Sequence, residues 1–358
     1  TGSTVFTGLD YLPDGLLLWR SILQWIGGIG IIVVAMVFLP ELRVGGMQIF
    51  RSEGFDTSGK ILPRATEIAA QIGWLYIALT AACAFVYLAS GMRTFDAVLH
   101  SMTTIATGGF SSYDASFARF GPMTEYAGTV FMCLAALPFV RYVQLINGQP
   151  LSVFKDTQVR MFFIILIFLV GFLTLFLWQD SSLTGELGFR KALFNVVSIV
   201  TGTGYVSADY GAWGSAAIVV FFYAGLIGGC AGSTSCSVKV FRYQLLFSAI
   251  RMQLRKINSP NGVFNLRYQG RLVGVDIVNS VISFFVIFFV TLGVSAMALV
   301  FSGLDTLTAL SGAAAALGNI GPGLGEIIGP MGNYSSISES AKWILSITML
   351  LGLSLIHI

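Results

Sequence analysis

Long apolar runs, broken by shorter mixed segments, set the pattern of this chain. A helix of about 20 predominantly apolar residues crosses the hydrocarbon core of a bilayer. By that measure the pattern predicts seven spans: Leu16–Leu39, Ile68–Leu88, Thr124–Gln144, Met161–Trp178, Trp213–Val240, Val275–Phe301 and Lys342–Gly352, the last cut short by the chain end. The reading is an all-α membrane protein whose solvent is the lipid bilayer.

The segments between spans are of two kinds. Three are long and basic: Glu41–Glu67, Arg141–Arg160 and Lys239–Arg271 carry four, three and seven of the 20 Lys and Arg residues. Two spans separate each from the next, and the excess of Lys and Arg marks all three as cytoplasmic. The outer segments each hold a short semi-apolar stretch ending in a glycine-rich turn. Phe95–Ile105 leads into Ala106–Phe110, Leu187–Val200 into Thr201–Tyr205, and Leu304–Ala316 into Leu317–Gly323. These stretches are too short to span and suit helices that dip into the membrane and return through extended backbone.

Thr1–Val5 precedes a span as the other turns do, so it reads as a fourth copy. Gly2, Gly109, Gly204 and Gly321 then align, 107, 95 and 117 residues apart. A repeat of that period decides architecture ahead of any local motif. The unit is span, re-entrant loop, span, four times around a central pore, with the first copy truncated. Its boundaries are 1–50 (repeat 1), 51–150 (repeat 2), 151–258 (repeat 3) and 259–352 (repeat 4). The chain opens inside a motif without an initiator Met or signal peptide, and is expected to lack its N-terminus. Residues 353–358 read as a non-native tail encoded by a transposon-end adaptor, which leaves His100 as the one native histidine.

Composition agrees. Charged residues make up 10% of the chain against about 25% in soluble domains, and 55% are hydrophobic. The 41 glycines point to irregular backbone inside the membrane. Such backbone is tolerated at membrane depth only where protein buries it or where it lines a water-filled path. Four turns of this kind can close a ring of carbonyl oxygens that replaces the hydration shell of a monovalent cation. The ring residues are Thr1, Gly2 and Ser3; Thr107, Gly108, Gly109 and Phe110; Thr201, Gly202, Thr203 and Gly204; and Asn319, Ile320 and Gly321. No Asp or Glu lies in the turns, which argues against a divalent site with hard carboxylate ligands. Ordinary glycine-rich outer turns are the alternative reading.

Other chemistry is sparse. Cys83, Cys133, Cys230 and Cys236 lie in or beside apolar runs without His or acidic neighbours, unlike a zinc site. No nucleophile–base pair or phosphate loop stands out, so neither an enzyme, an organic cofactor nor a nucleic-acid partner is expected. His100 is either a pH-sensing group or a packing residue. Asp10 and Asp14 either draw cations to the outer mouth or do nothing specific.

Several segments carry a resemblance: 1–13 (TGSTVFTGLDYLP), 24–31 (QWIGGIGI), 44–48 (VGGMQ), 107–111 (TGGFS), 228–234 (GGCAGST) and 319–325 (NIGPGLG). Together and in order they resemble the Trk/Ktr/HKT superfamily of potassium transporters, and its TrkH branch more than its KtrB branch. The resemblance implies a K⁺-selective filter at the four turns; Gly at position 2 goes with potassium, where Ser goes with sodium in some plant members. It implies a gate at Gly228, Gly229, Cys230, Ala231, Gly232, Ser233 and Thr234, unwinding the fifth span beneath the filter, with basic Lys239 just inside. The residue reading agrees, since such a glycine density weakens a helix, although a small-residue helix contact is the alternative. The resemblance further implies a homodimer in the bacterial inner membrane, a cytosolic TrkA-type nucleotide-binding subunit on the basic inner loops, and an arginine where Leu353 stands. Symport of K⁺ with H⁺ or Na⁺, and a Na⁺-permeable pore of the same superfamily, stay open. An intramembrane enzyme or a non-conducting receptor would need polar catalytic groups in the spans.

Overall fold

The computed structural model describes residues 2–37, 61–149, 152–180, 183–262 and 264–357. Thr1, the 44–48 motif, Arg43, Arg51 and Lys60 lie outside them. The described chain is almost wholly helical. In chain order the α-helices of eight residues or more are α1 (Asp14–Val37), α2 (Ile61–Ala89), α3 (Thr94–Ile105), α4 (Pro122–Ala135), α5 (Phe139–Ile146), α6 (Thr157–Asp180), α7 (Gly185–Val200), α8 (Ser215–Leu226), α9 (Val240–Asn258), α10 (Val275–Phe301), α11 (Thr306–Leu317) and α12 (Glu339–His357). A two-residue hairpin, β1 (Arg267–Tyr268) with β2 (Arg271–Leu272), joins α9 to α10.

The layering is inverted relative to a soluble protein. Among the described residues, three unbroken helices are long and apolar enough to cross a membrane, over 69–89, 157–179 and 275–301. They leave Trp74, Phe85, Ile167, Phe168, Val286 and Val290 exposed, a surface that only lipid makes tolerable. The short helices α3, α7 and α11 sit at the centre. Each packs against the span before it, α3 also against α1, α7 against α4 and α11 against α12. From Asn195 to Val200 α7 is wholly buried, as is α11 from Ser311 to Leu317. Short helices followed by turns, expected at three places, are found at all three.

Two of the expected spans are not continuous helices. Thr124–Gln144 is not one straight helix: α4 ends at Ala135 and α5 leaves at 87°. Pro138 lies at the break with φ −65° and ψ 119°, and having no N–H it cannot continue the helical ladder. Trp213–Val240 is broken, as expected at 228–234, and within it α8 covers only Ser215–Leu226. Residues 227–239 are irregular, and α9 then runs on through much of the stretch read as a basic inner loop. Arg242, counted with that loop, is fully buried with its guanidinium 3.9 Å from the Phe284 ring. The last helix starts at Glu339 and continues through the expected tail to His357.

Ion pairs fix the helix ends. Glu125 of α4, buried, accepts from Arg190 and Lys191 of α7, both at 2.6 Å. Arg141 of α5 pairs with Asp156 at 2.8 Å. Asp305 caps α11 by accepting from the Thr308 N–H at 3.1 Å, and hydrogen bonding from Thr308, its side chain first and its backbone second, holds the carboxyl below the usual carboxylate range.

Candidate functional site: four turns and the loop beneath them

The turns grow out of the buried ends of α3, α7 and α11. Each bends its N–H groups back onto its own helix. Gly108 N–H reaches Thr103 O at 2.8 Å, Gly204 N–H reaches Ser198 O at 3.2 Å, and Ile320 N–H reaches Ala315 O at 3.0 Å. The same dihedral signature recurs, with a positive φ two residues before the aligned glycine and again at it. The pairs are Thr107 (48°) with Gly109 (77°), Gly202 (74°) with Gly204 (80°), and Asn319 (53°) with Gly321 (123°). Left-handed residues spaced in this way turn successive carbonyls to one side. Glycine at the second position takes that conformation without a side-chain penalty.

The four turns meet. A methyl group added at Gly2 would lie 3.0 Å from Ile320 O, 3.2 Å from Gly108 O and 3.5 Å from Thr203 O. One at Gly109 would lie 1.9 Å from Thr203 O, one at Gly204 2.1 Å from Ile320 O, and one at Gly321 2.7 Å from the Gly2 backbone. The contacts run from 2 to 108, from 109 to 203, from 204 to 320 and from 321 back to 2, so the turns close a ring in chain order. Oxygens 108, 203 and 320 form one level of it. Above the ring lies a cavity of about 90 Å³, lined by all four glycines together with Arg20, Phe110 and Asp114.

Side chains from the same and from other repeats brace the ring. Gln24 of α1 donates to Gly108 O at 2.6 Å and accepts from the Phe110 N–H at 3.0 Å. The Tyr205 hydroxyl meets the Thr103 hydroxyl and donates to His100 O at 3.2 Å. Tyr334 donates to Gly321 O at 2.6 Å, and Ser3 donates to the same oxygen at 3.2 Å. Asn319 donates to Met349 O, and Thr201 bonds Thr203 within its turn. Buried Arg20 donates to the Thr4 hydroxyl at 3.1 Å, with its guanidinium 4.2 Å from the Phe110 ring. None of Gln24, Tyr205, Tyr334 or Arg20 was singled out by the sequence reading. The available signal was a polar group standing alone within or beside an apolar span.

Directly beneath lies the irregular stretch 227–239. Its Ser237 N–H donates to Gly318 O at 3.0 Å, and Cys236 lies 3.2 Å from where a methyl on Gly202 would sit. It is tied to the broken span by Cys230 N–H to Ala136 O (3.0 Å), Phe139 N–H to Gly232 O (2.9 Å) and the Thr234 hydroxyl to Ala135 O (3.1 Å). Inside the stretch, Gly228 N–H bonds Val238 O, Gly229 N–H bonds the Ser235 hydroxyl, and Ser233 bonds Cys230 O. The Ala231 N–H reaches Gln158 at 2.9 Å. Lys239 is buried, and its ammonium donates to Ser235 O. It therefore holds the stretch together as well as adding charge.

Other candidates named from the sequence make the following contacts. His100 is buried with both ring nitrogens bonded, Nδ1 to Asp96 O at 2.8 Å and Nε2 to the Ser111 hydroxyl at 2.9 Å, among the rings of Phe117 and Phe120. Asp10 accepts from the Asp114 N–H, while the Asp114 carboxylate binds the N–H groups of Gly8 and Leu9. The four cysteines are free thiols. Among the described residues no group of His, Cys, Asp and Glu could hold a metal ion; the ring offers backbone oxygens instead.

Comparison with known proteins follows the same outline. The family model described as TrkH, cation transport protein, matches residues 1–355. The chain is 44% identical over 355 residues to the Trk system potassium uptake protein TrkI of Halomonas elongata, covering 98% of this chain and 72% of that protein. It is 38% identical over 360 residues to the Trk system potassium uptake protein TrkH of Salmonella typhimurium, covering 98% and 73%. Among solved structures, the crystal structure of the potassium transporter TrkH from Vibrio parahaemolyticus superposes with a TM-score of 0.90 at 35% identity, covering 99% of this chain and 73% of that one.

Proposed function

The chain belongs to the TrkH family of cation transport proteins, and from that premise we propose that it carries potassium ions into a bacterial cell across the inner membrane, through the ring formed by its four turns. Its relatives are named as potassium uptake proteins, a transporting and not a catalytic class. The convergence of the Gly108, Thr203 and Ile320 oxygens on Gly2 carries the reading of the turns as the selectivity filter. Backbone oxygens at such a constriction take the place of water around a dehydrated monovalent ion. The C-terminal ends of α3, α7 and α11 add partial negative charge below it. Residues 228–234, with Lys239, are proposed as the gate, because they lie in contact with the filter turns and are held by hydrogen bonds that can be exchanged. A homodimer and a cytosolic TrkA-type regulatory subunit on the inner face complete the proposal.

Passive conduction is favoured over coupled symport by the state of the buried carboxylates. Among the described residues these are Asp96, Glu125 and Asp156, and each is paired with Arg or Lys. An unpaired carboxylate in the path would suit a proton relay better. Uptake in a bacterial strain without its own potassium systems tests the function. Protein that inserts in the membrane but restores no growth or K⁺ flux refutes it. Reversal potentials that move with the proton gradient would establish symport instead.

A further inference from the structure

Resting on the reading of the turns as a filter, we propose that Gln24 is a positioning residue for ion discrimination: its side-chain amide sets the place and strength of the Gly108 carbonyl in the ring.

One primary amide straddles Gly109, giving its N–H to Gly108 O at 2.6 Å and taking the Phe110 N–H at 3.0 Å. Only this orientation satisfies both groups, since the flipped amide would set oxygen against oxygen and N–H against N–H. The fit has no slack. A methyl on Gly108 would lie 2.4 Å from Gln24 Cδ and Oε1.

Gln24 is itself held from both sides. At the next residue, Trp25 donates to the Thr80 hydroxyl at 3.0 Å and its carbonyl accepts from Tyr76 at 2.9 Å, which locks α1 to α2. One helical turn outward, the Arg20 guanidinium covers the Phe110 ring at 4.2 Å. The clamp therefore joins repeat 1 to the second turn along one face of α1.

The clamp makes its level of the ring unequal. Among the described residues no side chain donates to Thr203 O or Ile320 O, whereas Gly108 O shares its lone pairs with an N–H. A carbonyl oxygen accepts two partners, so Gly108 O still faces an ion, but as a weaker and more firmly fixed ligand than its two neighbours. Losing the donor frees this oxygen to follow whatever ion is present. Discrimination between K⁺ and Na⁺ then falls, while the path stays open.

The test compares the intact wild-type protein with Gln24→Glu, which keeps size and loses the donor, and Gln24→Leu, which loses both bonds. Each is reconstituted in liposomes and its K⁺, Rb⁺ and Na⁺ fluxes are measured with inserted protein quantified. The expected result is a K⁺/Na⁺ ratio lower by about three- to tenfold in both variants, the range that one lost hydrogen bond covers. A purely structural role would lower all fluxes together and leave the ratios alone. Unchanged ratios in either variant overturn the proposal, as does failure of both variants to insert, which would make Gln24 a folding strut. Wild-type protein that carries no K⁺ would instead remove the transport reading beneath it.

Discussion

The four ring glycines are chemically identical, yet the structure ranks them, and serine substitution at each in turn exposes the ranking. A new Cβ would stand 1.9 Å from the nearest atom at Gly109, 2.1 Å at Gly204, 2.7 Å at Gly321 and 3.0 Å at Gly2. Real Cβ atoms essentially never come within 3.0 Å of such a neighbour, so at Gly109 the ring must open by about 1 Å, whereas at Gly2 a few tenths suffice. Gly109 also has φ +77°, where a side chain costs about 1–2 kcal/mol more than glycine. An opening of that size converts a dehydrating ring into one that tolerates a partly hydrated ion. Gly109→Ser and Gly204→Ser are therefore expected to lose K⁺/Na⁺ discrimination by about tenfold or more, as about 1.4 kcal/mol implies. Gly321→Ser falls between, and Gly2→Ser keeps most transport with a loss of about threefold or less, under 1 kcal/mol. Uptake of K⁺ with competing Na⁺, normalised to inserted protein, reads the order. Equal losses at all four positions, or the largest loss at Gly2, would refute the reasoning that geometry and not identity sets the effect.

In the stretch under the ring, Gly228→Ala would put a methyl 2.2 Å from Cys236 O and is expected to displace the stretch and raise basal K⁺ leak. Gly232→Ala meets open space and only a φ of +74°, and should leave the leak near wild type. Flux into liposomes without any partner protein separates the two. Glu125→Leu removes the buried carboxylate that Arg190 and Lys191 share, and is expected to cost about 3 kcal/mol, seen as a lower unfolding temperature in detergent. Asp305→Ala removes the cap of α11 and should cost about 1 kcal/mol in the same assay. The carboxylate there is held below its usual range, so its contribution is full at neutral pH and lost only as the pH falls through that lowered value.

What was legible in the sequence was what repeats or is long. Val275–Phe301 was placed residue for residue by its apolar length alone. The three turns were marked by glycine at a fixed place after a stretch too short to span. Hydropathy averages over a window, so it could not see that three residues, Ala136 to Pro138, turn a span through a right angle; Pro138 was the clue and was passed over. Arg242 was counted with a basic inner loop because basic residues beside an apolar run usually face water, and its contact with the Phe284 ring is invisible in a linear reading. The bracing of the ring was the least legible part. Gln24 and Gly108 are 84 residues apart and Ser3 and Gly321 are 318 apart, so no local pattern carries either pairing.

The right-angle turn at Pro138 has a mechanical meaning. The eight residues of α5 form a rigid arm about 12 Å long, whose near end, at Phe139, is bonded to Gly232. Two residues along it Arg141 pairs with Asp156, and Gln269 of the β1–β2 turn touches both members of the pair, while the far end of the arm, at Ile146, is exposed. Travel at the outer tip of such a crank is scaled down at its fulcrum while the force is scaled up. Force applied at that exposed tip would thus reach the glycine stretch through one rigid helix, without any relay of side chains through the bilayer.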